Sequence, residues 1–485
     1  MQIEIKDHIF REYDIRGKFG TDITQDTAEL LAKAFCYYLG QKTGKTNFKV
    51  SIGMDARLSS ETLRNGLALG FMSGGASVVD IGLCPTPLQY FSLFADELDG
   101  GIMITGSHNP SEYNGFKISV CQETIYGDEI QEIKKIMKAF SDRGSTIVAR
   151  IRGNLQNVDL IPHYTDTILK NFEGTLPASD LKKPIKVVID AGNGTGGLVA
   201  PELLRQLGCE VVELFCKPDG KFPNHHPDPT VEANLTALKA EVAEQGADFG
   251  VGYDGDSDRI GVIDEKGSVV WGDQLMVIFA RAILAKSPGE TIVGEVKCSQ
   301  TMYDEIKKSG GKAVMWKTGH SLIKSRMKEL NAAMAGEMSG HIFFADRYFG
   351  FDDAIYATCR LVEILAAKRA ENPDYAFSSL LDGLAKTITT PEIRVECPEQ
   401  EKFEIIESLK KVIKEGVPGP QIKELIDIDG VRVVFEDGWG LVRASNTQPV
   451  LVMRFEATSE TLLEDYKGFM RAALGRAWPS GTIQV

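Results

Sequence analysis

Four short stretches carry the side chains best suited to chemistry. TGSHNP places Ser107 between Gly106 and His108, directly after the apolar run GIMIT, so a sharp turn can expose the hydroxyl. His108, Asn109 and Lys117 could surround a bound anion there. The spacing fits a nucleophilic or phosphorylated serine, and equally an Asx-type turn. DGDSD alternates Asp254, Asp256 and Asp258 with small residues, so an extended loop can aim three carboxylates at one divalent cation. Without a cation they would repel one another and raise their pKa values; oxygen ligands favour Mg²⁺ over zinc. GEMSGH supplies Glu337, Ser339 and His341, which suit a polyhydroxylated ligand. RASNTQP offers Arg443, Ser445, Asn446 and Thr447, donors that fit a phosphate cradle or a polar turn closed by Pro449.

Two further motifs read as decoys. Gly192, Gly194 and Gly197 in GNGTGG satisfy a dinucleotide-binding spacing with Glu213 near the ribose position, yet Pro201 stands early in the following helix. Asp254 to Glu265 mimics a calcium loop, but Arg259 occupies the position that needs glycine and the flanks read as strands.

The elements that must position these loops alternate short β-branched runs with longer helical patterns, which predicts α/β architecture. FKVSIGMD reads as a strand, SSETLRNGLALGFMSGG as a helix opened by a serine cap, ASVVDIG as the next strand and DEIQEIKKIMKAF as an amphipathic helix. A second pass begins at PIKVVIDAGNGTGG and closes near DFGVGYDGDSDR. A third runs from RIGVIDEKG through FDDAIYATCRLVEILAAKRA, and NPDYAF reads as a linker to a smaller C-terminal unit. Asp55 and Asp190 each end an apolar strand before a loop and a helix, a faint internal repeat.

The 485 residues suffice for three or four domains, with 43% hydrophobic and 25% charged residues, which excludes a disordered or coiled-coil chain. No run approaches roughly 18 apolar residues, so no membrane span is expected. The net charge, 54 − 68 = −14, argues against broad nucleic-acid binding and requires a local basic cluster for any anionic substrate. The eight cysteines form no C-x-x-C pair and read as buried hydrophobes in a reducing, cytoplasmic setting.

Together FREYDIRG, GMDARLSS, PTPLQY, TGSHNPSEYNGFK, DAGNGTGG, FPNHHPDP, DGDSDR, TGHSLIK, GEMSGH, FGFDD and WGLVRASNTQPVLV resemble the α-D-phosphohexomutases, in the phosphomannomutase/phosphoglucomutase branch, over nearly the whole chain. The resemblance implies a four-domain, heart-shaped molecule: three related α/β mixed-sheet domains (1–152, 153–256, 257–370) and a smaller TATA-box-binding-protein-like α+β domain (371–485). It implies interconversion of hexose 1- and 6-phosphates of mannose and glucose through a phosphoserine and a hexose 1,6-bisphosphate. Ser107 would carry the phosphate, with Ser107, Asp254, Asp256 and Asp258 as ligands of one Mg²⁺. Glu337 and Ser339 would contact sugar hydroxyls, and Arg443, Ser445, Asn446 and Thr447 the phosphate not being transferred. Tyr13, Arg16, Lys117, Arg259, Lys297, His320 and His341 match the remaining site positions; His341 and Lys117 both stand as acid/base candidates. Gln448, where a threonine is common, is the one variation noted. The expected partners are small sugar phosphates, with neither nucleic acid nor membrane, for a monomer or weak homodimer. The rival readings are an oxidoreductase resting on GNGTGG and a catalytically idle sugar-phosphate binder.

Overall fold

The computed structural model describes residues 3–142, 153–174, 181, 183–446 and 448–481. Three α/β units repeat one strand plan. In the first, Lys49–Met54 lies between Ser77–Leu83 and Gly100–Ile104, both parallel to it, and Tyr113–Val120 turns back antiparallel beside Gly100–Ile104. In the second, Lys186–Asp190 lies between Glu210–Leu214 and Phe249–Tyr253, with Ile260–Asp264 antiparallel to the latter. In the third, Thr291–Glu295 lies between Lys312–Trp316 and Met334–Gly336, with Ile342–Phe344 antiparallel. The faint repeat is therefore real, and it has a third copy that ends on Glu295.

The local reasons are ordinary. Central strands such as Phe249–Tyr253 are buried along their whole length, as parallel strands covered by helices must be. The helix Ser60–Ser73 buries Leu63, Leu67 and Phe71, one face of a 3.6-residue period. Its expected serine cap is absent: Ser59 makes no capping bond, and the Ser60 hydroxyl instead donates to Asp55 Oδ1 at 2.6 Å. The fourth unit is an antiparallel sheet, in which Val450–Ala457 pairs with Gly438–Ala444 and that strand with Val431–Val434. The helices Lys402–Glu415 and Glu460–Ala477 close it over Leu409, Phe469, Met470 and Leu474.

Two expected limits need correction. A boundary at 256/257 falls inside the hairpin formed by Phe249–Tyr253 and Ile260–Asp264, so RIGVIDEKG belongs to the second sheet, which continues to Val270. NPDYAF is no free linker: Phe377 is 1% exposed and stacks on Phe249 with centroids 4.7 Å apart. Among the described residues no helix is long and apolar enough to cross a membrane. The eight cysteines are unpaired; seven are buried, and Cys121 is exposed.

The plan matters for function because the three motif loops occupy one place in it. TGSHNP, DGDSDR and GEMSGH each join the last parallel strand of a unit to its antiparallel neighbour. Ligands of such sheets collect outside the carboxyl ends of the strands.

Candidate active site

Ser107 is 1% exposed and sits at φ +47°, a region that non-glycine residues rarely enter. Its hydroxyl donates to Asp254 Oδ2 at 2.8 Å and lies 3.0 Å from His108 Nδ1. Gly255 makes this meeting of loops possible, since a Cβ there would stand 2.6 Å from the Ser107 carbonyl oxygen.

The acidic loop folds on itself: Asp254 Oδ1 accepts the backbone N–H groups of Asp258 at 3.1 Å and Arg259 at 3.2 Å. Asp256 Oδ2 accepts from the Thr86 hydroxyl at 2.6 Å and from Lys117 Nζ at 2.8 Å, and Lys117 also contacts Asp258 Oδ2. All three carboxylates are fully buried, with candidate ligand atoms within 4.8 Å of one another. Burial, then Asp256 and Asp258, hold the Asp254 carboxyl well above the usual range. Burial pushes Asp256 the same way, but Lys117 outweighs it and holds that carboxyl low. For Lys117, burial favours the neutral amine, and the two carboxylates overcome it and keep the ammonium protonated. Asp256 Oδ1 and Asp258 Oδ1 are buried without a hydrogen-bond partner. Two unsatisfied carboxylate oxygens in one buried triad are what a divalent cation with oxygen ligands would satisfy, so the loop fits a metal cofactor.

Arg259 Nε donates to His341 Nε2 at 2.9 Å. A guanidinium only donates, so that nitrogen carries a lone pair and the ring proton belongs on Nδ1. Nδ1 faces Asp352 Oδ2 at 3.0 Å, and His320 stacks on the ring with centroids 5.4 Å apart. Burial, then Lys324, hold His320 neutral. Glu337 Oε1 accepts the Gly319 N–H at 2.6 Å and Oε2 accepts the Ser339 hydroxyl at 3.1 Å, so the TGH and GEMSGH loops share one carboxylate.

From the fourth unit, Arg443 Nε donates to Asp429 Oδ2 at 3.0 Å. Asn446 Nδ2 donates to the Tyr13 hydroxyl at 2.6 Å, and Tyr13 donates to the Thr318 carbonyl at 2.7 Å, joining the first, third and fourth units. Burial pushes the Tyr13 phenol above its ordinary value. Lys297 Nζ contacts Glu392 at 2.7 Å and Glu295 at 3.5 Å. Arg16 donates to Asp14 at 2.5 Å and to the Gly106 carbonyl at 3.4 Å, with its Nε buried and unpartnered. The Gln448 N–H donates to Ser445 Oγ at 3.2 Å, and Gln448 Oε1 accepts from Arg394 at 2.9 Å. Thr447 lies outside the described residues.

Two groups meet directly: the serine loop with the acidic loop, Lys117 and Arg16, and the sugar-loop residues with Arg259, His320 and His341. Sequence reasoning missed Arg57, Thr86, Glu295, Asp352 and Lys324. Arg57, Thr86, Lys324 and Asp352 stand inside the stretches GMDARLSS, PTPLQY, TGHSLIK and FGFDD without a role read for them, and the signal for Glu295 was a carboxylate ending a buried strand in the same place as Asp55 and Asp190. GNGTGG proves to be scaffold for the acidic loop: the Thr195 N–H donates to the Gly255 carbonyl at 3.1 Å.

Comparison with known proteins agrees with this architecture. Residues 7–143, 162–267 and 271–383 match the α/β/α domains I, II and III of phosphoglucomutase/phosphomannomutase, and 392–473 match its C-terminal domain. The chain is 42% identical over 482 residues to a Pseudomonas putida phosphomannomutase/phosphoglucomutase, covering 98% of this chain and 97% of that one. It is 41% identical over 477 residues to a Neisseria meningitidis phosphoglucomutase, covering 97% and 98%. The crystal structure of a Burkholderia thailandensis phosphoglucomutase/phosphomannomutase family protein superposes with a TM-score of 0.88 at 38% identity, covering 99% of each chain. With all four domains matched in order, the chain belongs to the phosphoglucomutase/phosphomannomutase family of phosphohexomutases.

Proposed function

We propose that this chain interconverts the 1- and 6-phosphates of glucose and mannose, with Ser107 as the phosphoryl carrier. The observation that carries the reading is the Ser107 hydroxyl, buried at 2.8 Å from Asp254 inside a loop pair flanked by Lys117, Arg16 and Arg259. A phosphoserine brings about −1.5 to −2 charges, which these cations answer in a chain of net charge −14. Ser107, Asp254, Asp256 and Asp258 would hold Mg²⁺, which when bound neutralises charge on the transferring phosphoryl group.

In the first half-reaction the bond from phosphorus to Ser107 Oγ breaks as one forms to the free hydroxyl of the sugar phosphate. His341 suits the base once Arg259 turns from it to the transferring phosphoryl group: the Nε2 lone pair that accepts from Arg259 is then free to take the hydroxyl proton, while Nδ1 faces Asp352. Lys117, held protonated between two carboxylates, acts as fixed positive charge. The resulting hexose 1,6-bisphosphate turns end for end, and its other phosphoryl group returns to Ser107. Arg443, Ser445 and Asn446 seat the phosphate at rest, with Thr447 proposed beside them, and Glu337 and Ser339 hold sugar hydroxyls. Tyr13, Lys297 and His320 line the space between these loops. The buried, unpaired cysteines suit a reducing cytoplasm.

Intact mass spectrometry with a coupled mutase assay on both sugars tests the reading. Part of the wild-type population should carry one phosphate, lost in Ser107→Ala together with most of the activity. A fully active preparation that never carries phosphate would overturn it.

A further inference from the structure

We propose that Arg57 is a positioning residue for Ser107: its guanidinium is a template on which the serine loop is folded, and it takes no part in holding phosphate. The inference rests on the phosphoserine reading above.

Arg57 stands just past the central strand of the first unit, with its side chain 0% exposed. A guanidinium has five N–H donors in a rigid planar fork. Here every one is engaged. Nε donates to Asp55 Oδ2 at 3.1 Å; Nη1 donates to the carbonyls of Pro110 at 2.6 Å and Tyr113 at 2.9 Å. Nη2 donates to the carbonyls of Ser107 at 2.8 Å and Asn109 at 2.6 Å. No donor remains for a phosphate oxygen, unlike Arg16, whose Nε has no partner.

Four carbonyls of one short loop thus converge on one cation. The loop needs such a template, because Ser107 sits at φ +47°, and a strained residue persists only where its surroundings over-determine it. The fit is close: a Cβ on Gly106 would stand 2.5 Å from Arg57 Cζ. Asp55 completes the clamp, with Oδ2 accepting the Gly106 N–H at 3.1 Å. The Phe222 ring of the second unit lies 5.2 Å from Arg57 Cζ, so the unit that carries the acidic loop packs on the same group.

The third unit repeats the device in part. Glu295 ends the equivalent strand and accepts the N–H of Met338, next to Glu337, at 2.9 Å. Lys297 stands two residues on, as Arg57 does after Asp55, but reaches Glu392 of the fourth unit. Only in the first unit does that cation itself hold the functional loop. The difference suits the reaction, because Ser107 must present the same atom both as donor and as acceptor, whereas Glu337 only binds.

The test is Arg57→Lys, which offers three donors on a flexible stem and cannot span four carbonyls. Dephosphorylated wild type and variant are mixed with glucose 1,6-bisphosphate, and phosphoserine formation is followed by quenched intact mass. The rate is expected to fall about 100-fold, the scale of a 1 Å misplacement. Calorimetric binding of glucose 1-phosphate should stay within about threefold of wild type. Gly106→Ala, which displaces the same guanidinium without changing a charge, should give the same split and decides alone if Arg57→Lys fails to fold. The double variant should be no slower than the slower single. Wild-type phosphorylation rates in the folded variants, a loss confined to sugar binding, or additive losses would overturn the inference. A wild type that never accepts phosphate would instead bring down the phosphoserine reading, and this inference with it.

Discussion

Lys117→Met is the most informative single perturbation of the charge arrangement. The ammonium lies 2.8 Å from Asp256 Oδ2 and against Asp258 Oδ2, and all three side chains are at most 3% exposed. Removing one partner of a buried ion pair costs about 3–5 kcal/mol, because the surviving charge stays buried. That loss belongs to the metal-free protein. A divalent cation competes with the ammonium for the same carboxylates, so the variant should bind Mg²⁺ at least about tenfold more tightly, roughly 1.4 kcal/mol. Melting by calorimetry should therefore show a large deficit in EDTA that narrows in saturating Mg²⁺. Turnover should nevertheless fall by about 100- to 1,000-fold, since the fixed charge beside the transferring group is gone. Unchanged or weaker Mg²⁺ affinity in Lys117→Met, or a melting deficit that Mg²⁺ leaves intact, would refute the reasoning.

Arg443→Lys should raise KM for 1- and 6-phosphates alike by about tenfold or more, because an ammonium cannot bind phosphate in two places; unchanged KM for both would remove Arg443 from the cradle. His225 Nε2 lies 2.9 Å from Asp190 Oδ2; burial lowers its pKa, but Asp190 more than reverses that and sets it above the ordinary 6.5. A pKa raised on folding gives stability that is complete below the ordinary value and lost as pH rises through the raised one. The melting difference between wild type and His225→Gln should thus be largest below the ordinary value and shrink as pH rises above it, and a pH-independent difference would exclude the ion pair. On the proposed roles, Glu337 and Ser339 would read hydroxyls that exchange places when the bisphosphate turns and leave C2 unread, so glucose and mannose 1-phosphates should have comparable kcat/KM; a preference beyond about a thousandfold, roughly 4 kcal/mol, would show otherwise.

The loops were legible in the sequence because their chemistry is local. TGSHNP, DGDSD and GEMSGH hold their reactive groups within a few residues, bounded by glycines and preceded by apolar strands. The unit limits were not legible. Ile260–Asp264 is an apolar run that reads equally as the end of one sheet or the start of the next, and only its pairing with Phe249–Tyr253 decides. NPDYAF has a linker's composition, but Phe377 finds a ring to stack on 128 residues earlier in the chain. Arg57 stands in the stretch GMDARLSS, but its role was not legible for a similar reason. Its partners are backbone carbonyls about 50 residues away, and carbonyls have no residue type to read.

The site's cations also obey an order that no single motif contains. Lys117 of the first unit rests on Asp256 and Asp258 of the second, and Arg259 of the second donates to His341 of the third. Lys297 of the third rests on Glu392 of the fourth, whose carboxyl it holds down at about 2. Asn446 of the fourth closes the ring on Tyr13 of the first. Each unit hands a donor to the next, so removing one leaves its acceptor unpaired at an interface between units. The first three units share one hydrophobic core, from Val79 and Phe91 through Phe249 to Phe344 and Leu380, and the reactive arrangement exists only when all four units are docked. The acidic charge of −14 is consistent with this, since the cations that matter are held between units, out of reach of the surface.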